Sequence, residues 1–275
     1  MSGCLYVVAT PIGNLEDISQ RALAILQQVD AIACEDTRTS RRLLEVYGID
    51  KPLFASHQHN ERGVAEKLVA RIEAGENIAV ISDAGTPVIS DPGAVLTQLA
   101  HQRGIRVIPI PGANAVITAL SASGLPGDRF MFAGFIPAKS GERQRFLQQF
   151  KNADCTTVFY ETPHRIAETL AEMQQLFTAN RPLTIARELT KTFEQIVALT
   201  VGSAINWLAE DSYHEKGEFV LLLGAETVQE VDEQQWQSMA EELRDCGVSS
   251  KDAANLVAKY TGVNKKSVYN YLIGK

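Results

Sequence analysis

The chain has 275 residues, a formal net charge of −7, 45% hydrophobic and 21% charged residues, a make-up with room for two folded domains and a small appendage. The acidic balance excludes a global electrostatic footprint for nucleic acid, so any RNA contact must use local basic patches. Its four scattered cysteines (Cys4, Cys34, Cys155, Cys246) lack disulfide-framework or metal-ligand spacing, and no apolar run approaches the roughly 18 residues of a membrane span. The expected setting is cytoplasmic, with no membrane contact.

In chain order, residues 5–9 predict a buried strand that ends in the loop Thr10-Pro11-Ile12-Gly13-Asn14. A helix follows over 15–29, from Ile18, Ala22, Ile25, Leu26 and Val29 at helical spacing. Residues 31–34 read as a second strand, leading into Glu35-Asp36-Thr37-Arg38 and a helix over 40–47 closed by Gly48. A third strand is expected over 54–56, before the polar loop His57-Gln58-His59-Asn60-Glu61, and a helix over 63–74. Residues 78–81 are an apolar strand that empties into a loop rich in Asp, Gly and Pro, 82–93. A helix over 92–103, a strand over 106–110 and a helix over 113–120 complete this half. Strands alternating with helices predict an α/β fold with a largely parallel sheet. The loops at 10–14, 35–38, 82–87 and 111–114 should then gather on one edge of it.

Residues 121–127 (SASGLPG) read as a domain hinge. Beyond it, strands are expected over 130–135, 156–160 and 183–186 and helices over 143–150 and 166–177, with 193–199 and 219–223 completing a mixed α/β domain. Three short helices split by glycines, over 236–245, 250–260 and 265–272, resemble a helix-turn-helix. The expected domains are 1–116, 117–226 and 232–275.

The loop over 82–93 holds two Asp, two Pro and two Gly, more than plain connection requires. No Gly-Lys-Ser/Thr follows its glycines, and no Gly-x-Gly-x-x-Gly follows the first strand, so neither a P-loop nor a dinucleotide site is expected. The ligand should want backbone contacts and a carboxylate rather than a phosphate cradle. Asp83 and Gly85 are the first candidates, against the plainer role of Asp83 as a cap on its own turn. The turns at 9–14 and 110–115 are of the same strand-to-helix kind, and together the loops describe a pocket.

The segments YVVATPIGNLEDI (6–18), CEDTR (34–38), SDAGTP (82–87), PIPG (109–112), YETPHRI (160–166) and ARELTK (186–191) occur in an order that resembles one known set. The chain is similar to the tetrapyrrole-methylase-like S-adenosylmethionine-dependent methyltransferases, and within them to the ribosomal RNA small-subunit methyltransferase I family. The likeness spans nearly the whole chain, including the helical tail; Asn114 departs from it, where a smaller side chain is expected. It implies two α/β domains of the tetrapyrrole methylase type with the donor bound between them, plus the small C-terminal helical module. It implies 2′-O-methylation of a cytidine ribose in 16S rRNA, at the decoding centre of the small ribosomal subunit, by a homodimer. The donor contacts it implies are Pro11, Ile12, Asp83, Gly85, Thr86, Ala113 and Asn114, with the backbone near Ala186 and Arg187 closing the site.

An alkyl sulfonium is already an activated electrophile, so the weak point is the ribose hydroxyl, a poor nucleophile until its proton is accepted or its charge is met. Two polar clusters at strand ends can serve: residues 35–38, and Arg187-Glu188 with Lys191. Lys191 and Glu188 are the candidates for steering the hydroxyl, and Arg38 and Arg187 for gripping phosphates. The competing reading is an ion-pair network across the domain interface. His57, His59 and Glu61 imitate a metal site but fit an RNA-contacting loop better, and methyl transfer needs no metal. His164 fits a helix cap or an RNA contact. Basic residues stand where RNA would arrive: Arg41 and Arg42; Lys139, Arg143 and Arg145; Lys259, Lys265 and Lys266. Lys265 and Lys266 open the last helix, where backbone N–H groups add to their charge. Two other readings stand beside this one: a methyltransferase of the same class acting on a tetrapyrrole or other small molecule, and a non-enzymatic nucleic-acid-binding regulator.

Overall fold

The structure, a computed structural model, describes residues 2–56, 61–226 and 232–274. Residues as far as Ala225 form one compact unit and those from Glu226 a second. In the first unit β1 (Cys4–Val8), β2 (Ala31–Cys34), β3 (Leu53–Ala55), β4 (Ile78–Val80) and β5 (Arg106–Ile110) make an all-parallel sheet in the order β3-β2-β4-β1-β5. Because side chains alternate along a strand, Ile78 and Val80 face one layer of helices and Ala79 and Ile81 the other. The first layer is α3 (Glu61–Glu73) and α4 (Ala94–Gln102); the second is α1 (Gln20–Gln28) and α2 (Thr37–Val46). Leu5, Leu68, Ile72 and Leu96 are fully buried in the first of these cores, where each such side chain contributes roughly 1.5–3 kcal/mol.

The second sheet has the order β6-β7-β10-β8-β9, from β6 (Phe130–Phe135), β7 (Thr156–Glu161), β8 (Pro182–Arg187), β9 (Gln195–Thr200) and β10 (Phe219–Leu223). Only β6 and β7 run parallel; the other pairs are antiparallel. One face is covered by α6 (Ser140–Gln148), α7 (Ile166–Leu176) and α8 (Val201–Glu210), and the other by α5 (Ala115–Ala122). Although α5 follows the first sheet in the chain, its Val116, Ala119 and Leu120 pack on Val158, Ala186, Val220 and Leu222 of the second. It is the helix that ties the two sheets into one unit.

Four expectations change. Residues 15–17 form a separate 3-10 turn, and α1 starts only after Ser19, whose side chain accepts from the Ala22 N–H. The predicted hinge is pinned: Ser121 and Ala122 belong to α5, and Ser123, buried, accepts Thr184 Oγ1 on its carbonyl at 3.0 Å. The helix α8 was not expected, since Gly202 and the β-branched Val201 and Ile205 blur its periodicity; its start is set by reciprocal capping between Thr200 and Ser203. Arg143 is 2% exposed and held by Glu168 and Glu172, each at 2.9 Å, so it is a core ion pair and not part of an RNA-facing patch.

In the second unit α9 (Glu233–Asp245), α10 (Ser250–Thr261) and α11 (Lys265–Ile273) close around Trp236, Ala254, Val257, Val268 and Leu272. Gly262, at φ +73°, ends α10 in the left-handed conformation that favours glycine.

Candidate active site

The carboxyl ends of a parallel sheet share one edge, and the four strand-end loops meet there. Thr10 and Gly85 exchange backbone hydrogen bonds, N–H to carbonyl, at 2.9 and 3.1 Å. Thr10 Oγ1, buried, donates to the Ser82 carbonyl at 3.1 Å. Thr86 Oγ1 donates to the Ala113 carbonyl at 3.1 Å, and the Asp36 N–H donates to Asp83 Oδ1 at 3.3 Å. Asp83 therefore braces a neighbouring loop rather than capping its own turn. Gly85 sits at φ +83°, and a Cβ there would stand 3.3 Å from Ile12 Cγ2. Its lack of a side chain keeps the cleft open.

Between these loops and the second sheet lies a cleft of about 320 Å³, within the range of small-molecule sites. The first sheet contributes Ile12, Asp83, Gly85, Thr86 and Asn114 to its wall, and the second Phe135, Tyr160, Leu189 and Glu218. Five of the eight expected donor contacts thus line one cavity. Of the rest, Pro11 is buried behind Ile12, Ala113 holds Thr86 by its carbonyl, and Ala186 is buried inside β8. Asn114 both lines the cleft and caps α5, its side chain accepting the Ile117 N–H.

Asp91 also lines the cleft, and residue-by-residue reading missed it, although it closes the same Asp-, Gly- and Pro-rich stretch. Burial and the nearby Glu35 push its carboxyl up to about 6, with Asp83 adding to the rise and a Ser82 hydrogen bond opposing it. Burial also raises Asp83, against the Asp36 N–H that hydrogen-bonds it and with a smaller push from the Asp36 charge. Across the cavity, burial and the charge of Asp91 push the Tyr160 phenol up to about 12, so it stays a neutral hydroxyl. The cleft is apolar with a carboxylate-bearing wall, an environment suited to a cation.

All four non-glycine residues with positive φ among those described fall in two segments beside this cavity: Val88 (+77°) and Ser90 (+65°), and Glu188 (+50°) and Thr190 (+65°). Such conformations are uncommon, least of all expected for β-branched Val and Thr, and they persist where surrounding contacts over-determine them. Gly13 lies against the second segment so closely that a Cβ on it would be 2.6 Å from Lys191 Cγ.

Lys191 and Glu188 do not line the cleft but stand at its rim. Lys191 Nζ bonds Glu188 Oε1 at 2.8 Å and Glu218 Oε2 at 2.9 Å, and Glu218 faces the cavity. Burial would lower the Lys191 pKa, but its bonds to the two glutamates outweigh this and hold it above the usual lysine value. Burial would raise Glu188, but Lys191, the Glu218 N–H and the Arg187 charge hold it below the usual range. The pair is ionised and poorly suited to taking a proton.

Arg187 is buried, its Nε on the Lys216 carbonyl at 3.0 Å and its Nη1 on Gln195 Oε1 at 2.6 Å. Its visible role is to hold the 216–218 segment in place. Arg38, with 86% of its side chain exposed, pairs with Asp36 at 2.9 Å, which holds the Asp36 carboxyl down at about 2. Lys265 and Lys266 are exposed at the start of α11 in the second unit. Glu61 caps α4, accepting the Gly93 and Val95 N–H groups, while His57 and His59 lie outside the described residues. His164 is exposed ahead of α7, whose cap residue Arg165 makes no side-chain capping bond.

A family model for tetrapyrrole (corrin/porphyrin) methylases matches residues 4–205. The chain is 51% identical over 272 residues to "Ribosomal RNA small subunit methyltransferase I" of Pasteurella multocida, covering 98% of this chain and 97% of that protein. The protein of the same name from Escherichia coli O157:H7 is 46% identical over 271 residues, covering 98% and 95%. Among solved structures, diphthine synthase matches with a TM-score of 0.62 at 16% identity, over 82% of this chain and 91% of that one. Uroporphyrin-III C-methyltransferase from Thermus thermophilus, complexed with S-adenyl homocysteine, matches with a TM-score of 0.55 at 17% identity, over 81% and 97%.

Proposed function

Because the chain belongs to the tetrapyrrole methylases and, within them, to the ribosomal RNA small subunit methyltransferase I family, we propose that it methylates the 2′-hydroxyl of a cytidine ribose in 16S rRNA, at the decoding centre of the small subunit. Its donor is S-adenosylmethionine and its substrate rRNA; the acceptor atom and its place in the subunit are our reading. The observation that supports it most is a cleft at the meeting of the strand-end loops that sets the carboxyl groups of Asp83 and Asp91 among apolar side chains.

The residues fit the donor, which carries a cationic sulfonium, an amino acid, a ribose and an adenine but no phosphate. Asp83 offers negative charge, Ile12, Phe135 and Leu189 offer apolar surface, and Gly85 gives close access to backbone. When bound, the donor supplies an electrophilic methyl group. The chain must then align the acceptor, exclude water and manage one proton. Asp91 is the group suited to accept the hydroxyl proton, since its pKa lies near working pH. Lys191, a fixed cation held by Glu188 and Glu218, is suited to steady negative charge growing on the ribose oxygen. Arg38, Lys265 and Lys266 are exposed cations for phosphates. A homodimer belongs to the same reading, because the outer strand β6 leaves Phe130 and Met131 exposed as surface that a second copy would cover. So does a cytoplasmic setting; no helix among the described residues is long and apolar enough to cross a membrane.

The test is to incubate undermethylated small subunits with protein and donor and to map the product by mass. A single methyl on a cytidine ribose is expected; a methyl on a base, or none on any RNA, would sink the proposal. For the donor, Asp83→Ala should weaken S-adenosylmethionine binding by roughly tenfold or more, the loss of a charge-assisted contact. Unchanged affinity by calorimetry would remove Asp83 from the site.

A further inference from the structure

Beside the donor cleft lies a second, open groove of about 570 Å³, whose walls include Phe193, Tyr213, Lys216 and Gly217. The partition between the two is one residue thick: Glu188 and Gly217 face the groove, while their neighbours Leu189 and Glu218 face the cleft. Resting on the reading of this chain as an rRNA methyltransferase, we propose that the groove seats unpaired nucleotides adjoining the acceptor ribose, with their bases stacked on Phe193 and Tyr213.

Three observations carry this. Phe193 is 72% and Tyr213 63% exposed, two large aromatic faces left in solvent beside one groove. Such faces are what single-stranded RNA is read by, since every base can stack on them. Next, the Lys216 ammonium sits over one face of the Tyr213 ring, 4.2 Å from its centre, so a cation for phosphate covers one side of a ring that is otherwise largely exposed. Finally, the groove is held in shape from beneath, by Arg187 on the Lys216 carbonyl and by His214 stacked on Trp207 at 4.1 Å. The groove's acids are engaged internally: Glu188 with Lys191, Glu194 on the Thr190 N–H, and Asp211 on the Tyr213 N–H. A strand of RNA with its reactive ribose in the cleft would therefore cross the thin partition onto the aromatic pair.

The test uses the full chain with Phe193→Ala and Tyr213→Ala, singly and together, and with Phe193→Trp and Tyr213→Phe as stacking-competent controls. Two quantities are read: anisotropy of a short unpaired oligoribonucleotide, and KM for undermethylated small subunits. Each alanine should weaken both by roughly tenfold, the scale of one base–aromatic stack, with donor affinity unchanged and the controls near wild type. Wild-type values in the double alanine variant would overturn the proposal. So would a switch in oligomeric state on sedimentation, which would make the groove an interface between copies. If the wild-type chain methylates no RNA, the underlying activity fails, and the anisotropy alone still decides whether the groove binds RNA.

Discussion

Replacing Asp91 by asparagine is expected to slow methyl transfer by roughly two to four orders of magnitude, the usual contribution of a positioned general base. Asparagine keeps the size and the hydrogen-bonding end of the side chain but cannot take a proton. The wild-type rate should rise with pH as the carboxyl ionises around the value of about 6 to which burial and Glu35 push it. Below that pH the carboxylic acid already carries its proton and cannot accept another. In Asp91→Asn the limb should vanish and leave a low, flat profile. Donor affinity should change no more than a few-fold. A large loss of affinity with the limb retained would mean that Asp91 holds the donor's positive charge and that proton acceptance lies elsewhere. Single-turnover rates across pH, with donor binding by calorimetry, separate the two outcomes.

The meeting of the four strand-end loops was readable because it follows from topology: parallel strands put their carboxyl ends together. Short apolar runs at 5–9, 31–34, 78–81 and 106–110 alternating with helical stretches were enough to place Thr10, Asp83 and Thr86 on one edge. What pattern alone could not show was which side chains of those loops turn inward. Pro11 and Ile12 are neighbours, yet one is buried structure and the other cleft wall. The second sheet was harder to read, because its site residues come from strands distant in sequence. Glu218 carries no local signal at all, and gains meaning only when β10 places it beside Lys191. The strain at Glu188 and Thr190 was equally hidden, since neither residue type announces a positive φ. Arginines were misread for a related reason. A guanidinium in a polar segment looks like a surface charge, but Arg143 and Arg187 are both buried and held by protein oxygens, as is Arg181, which carried no expectation.

Arg181→Ala is expected to cost about 3–5 kcal/mol of stability, from carbonyls left without a donor and the cavity left by a large buried side chain. The residue is 0% exposed, in the segment Asn180-Arg181-Pro182 that leads into β8. Its Nε donates to the Gly224 carbonyl at 2.9 Å, and its Nη1 to those of Phe150 and Lys151 at 3.0 and 2.9 Å. The guanidinium also lies over the Phe177 ring, 4.9 Å from its centre. One side chain thus satisfies three carbonyls beyond the ends of α6 and β10 and fills the space between them. Alanine would strand those acceptors and leave a cavity, two penalties that add. Against a typical total of about 5–15 kcal/mol, the loss takes a large share of what holds a domain folded. Lysine should rescue little, because an ammonium lacks the planar fork that reaches separate acceptors at once. Arg181 precedes β8 and Arg187 ends it beside the catalytic rim, so the damage lies at the far end of the strand from the cleft. Donor affinity of the fraction still folded should therefore match wild type, while the urea midpoint falls sharply. A loss below about 1 kcal/mol would mean that water can replace the guanidinium at all three carbonyls.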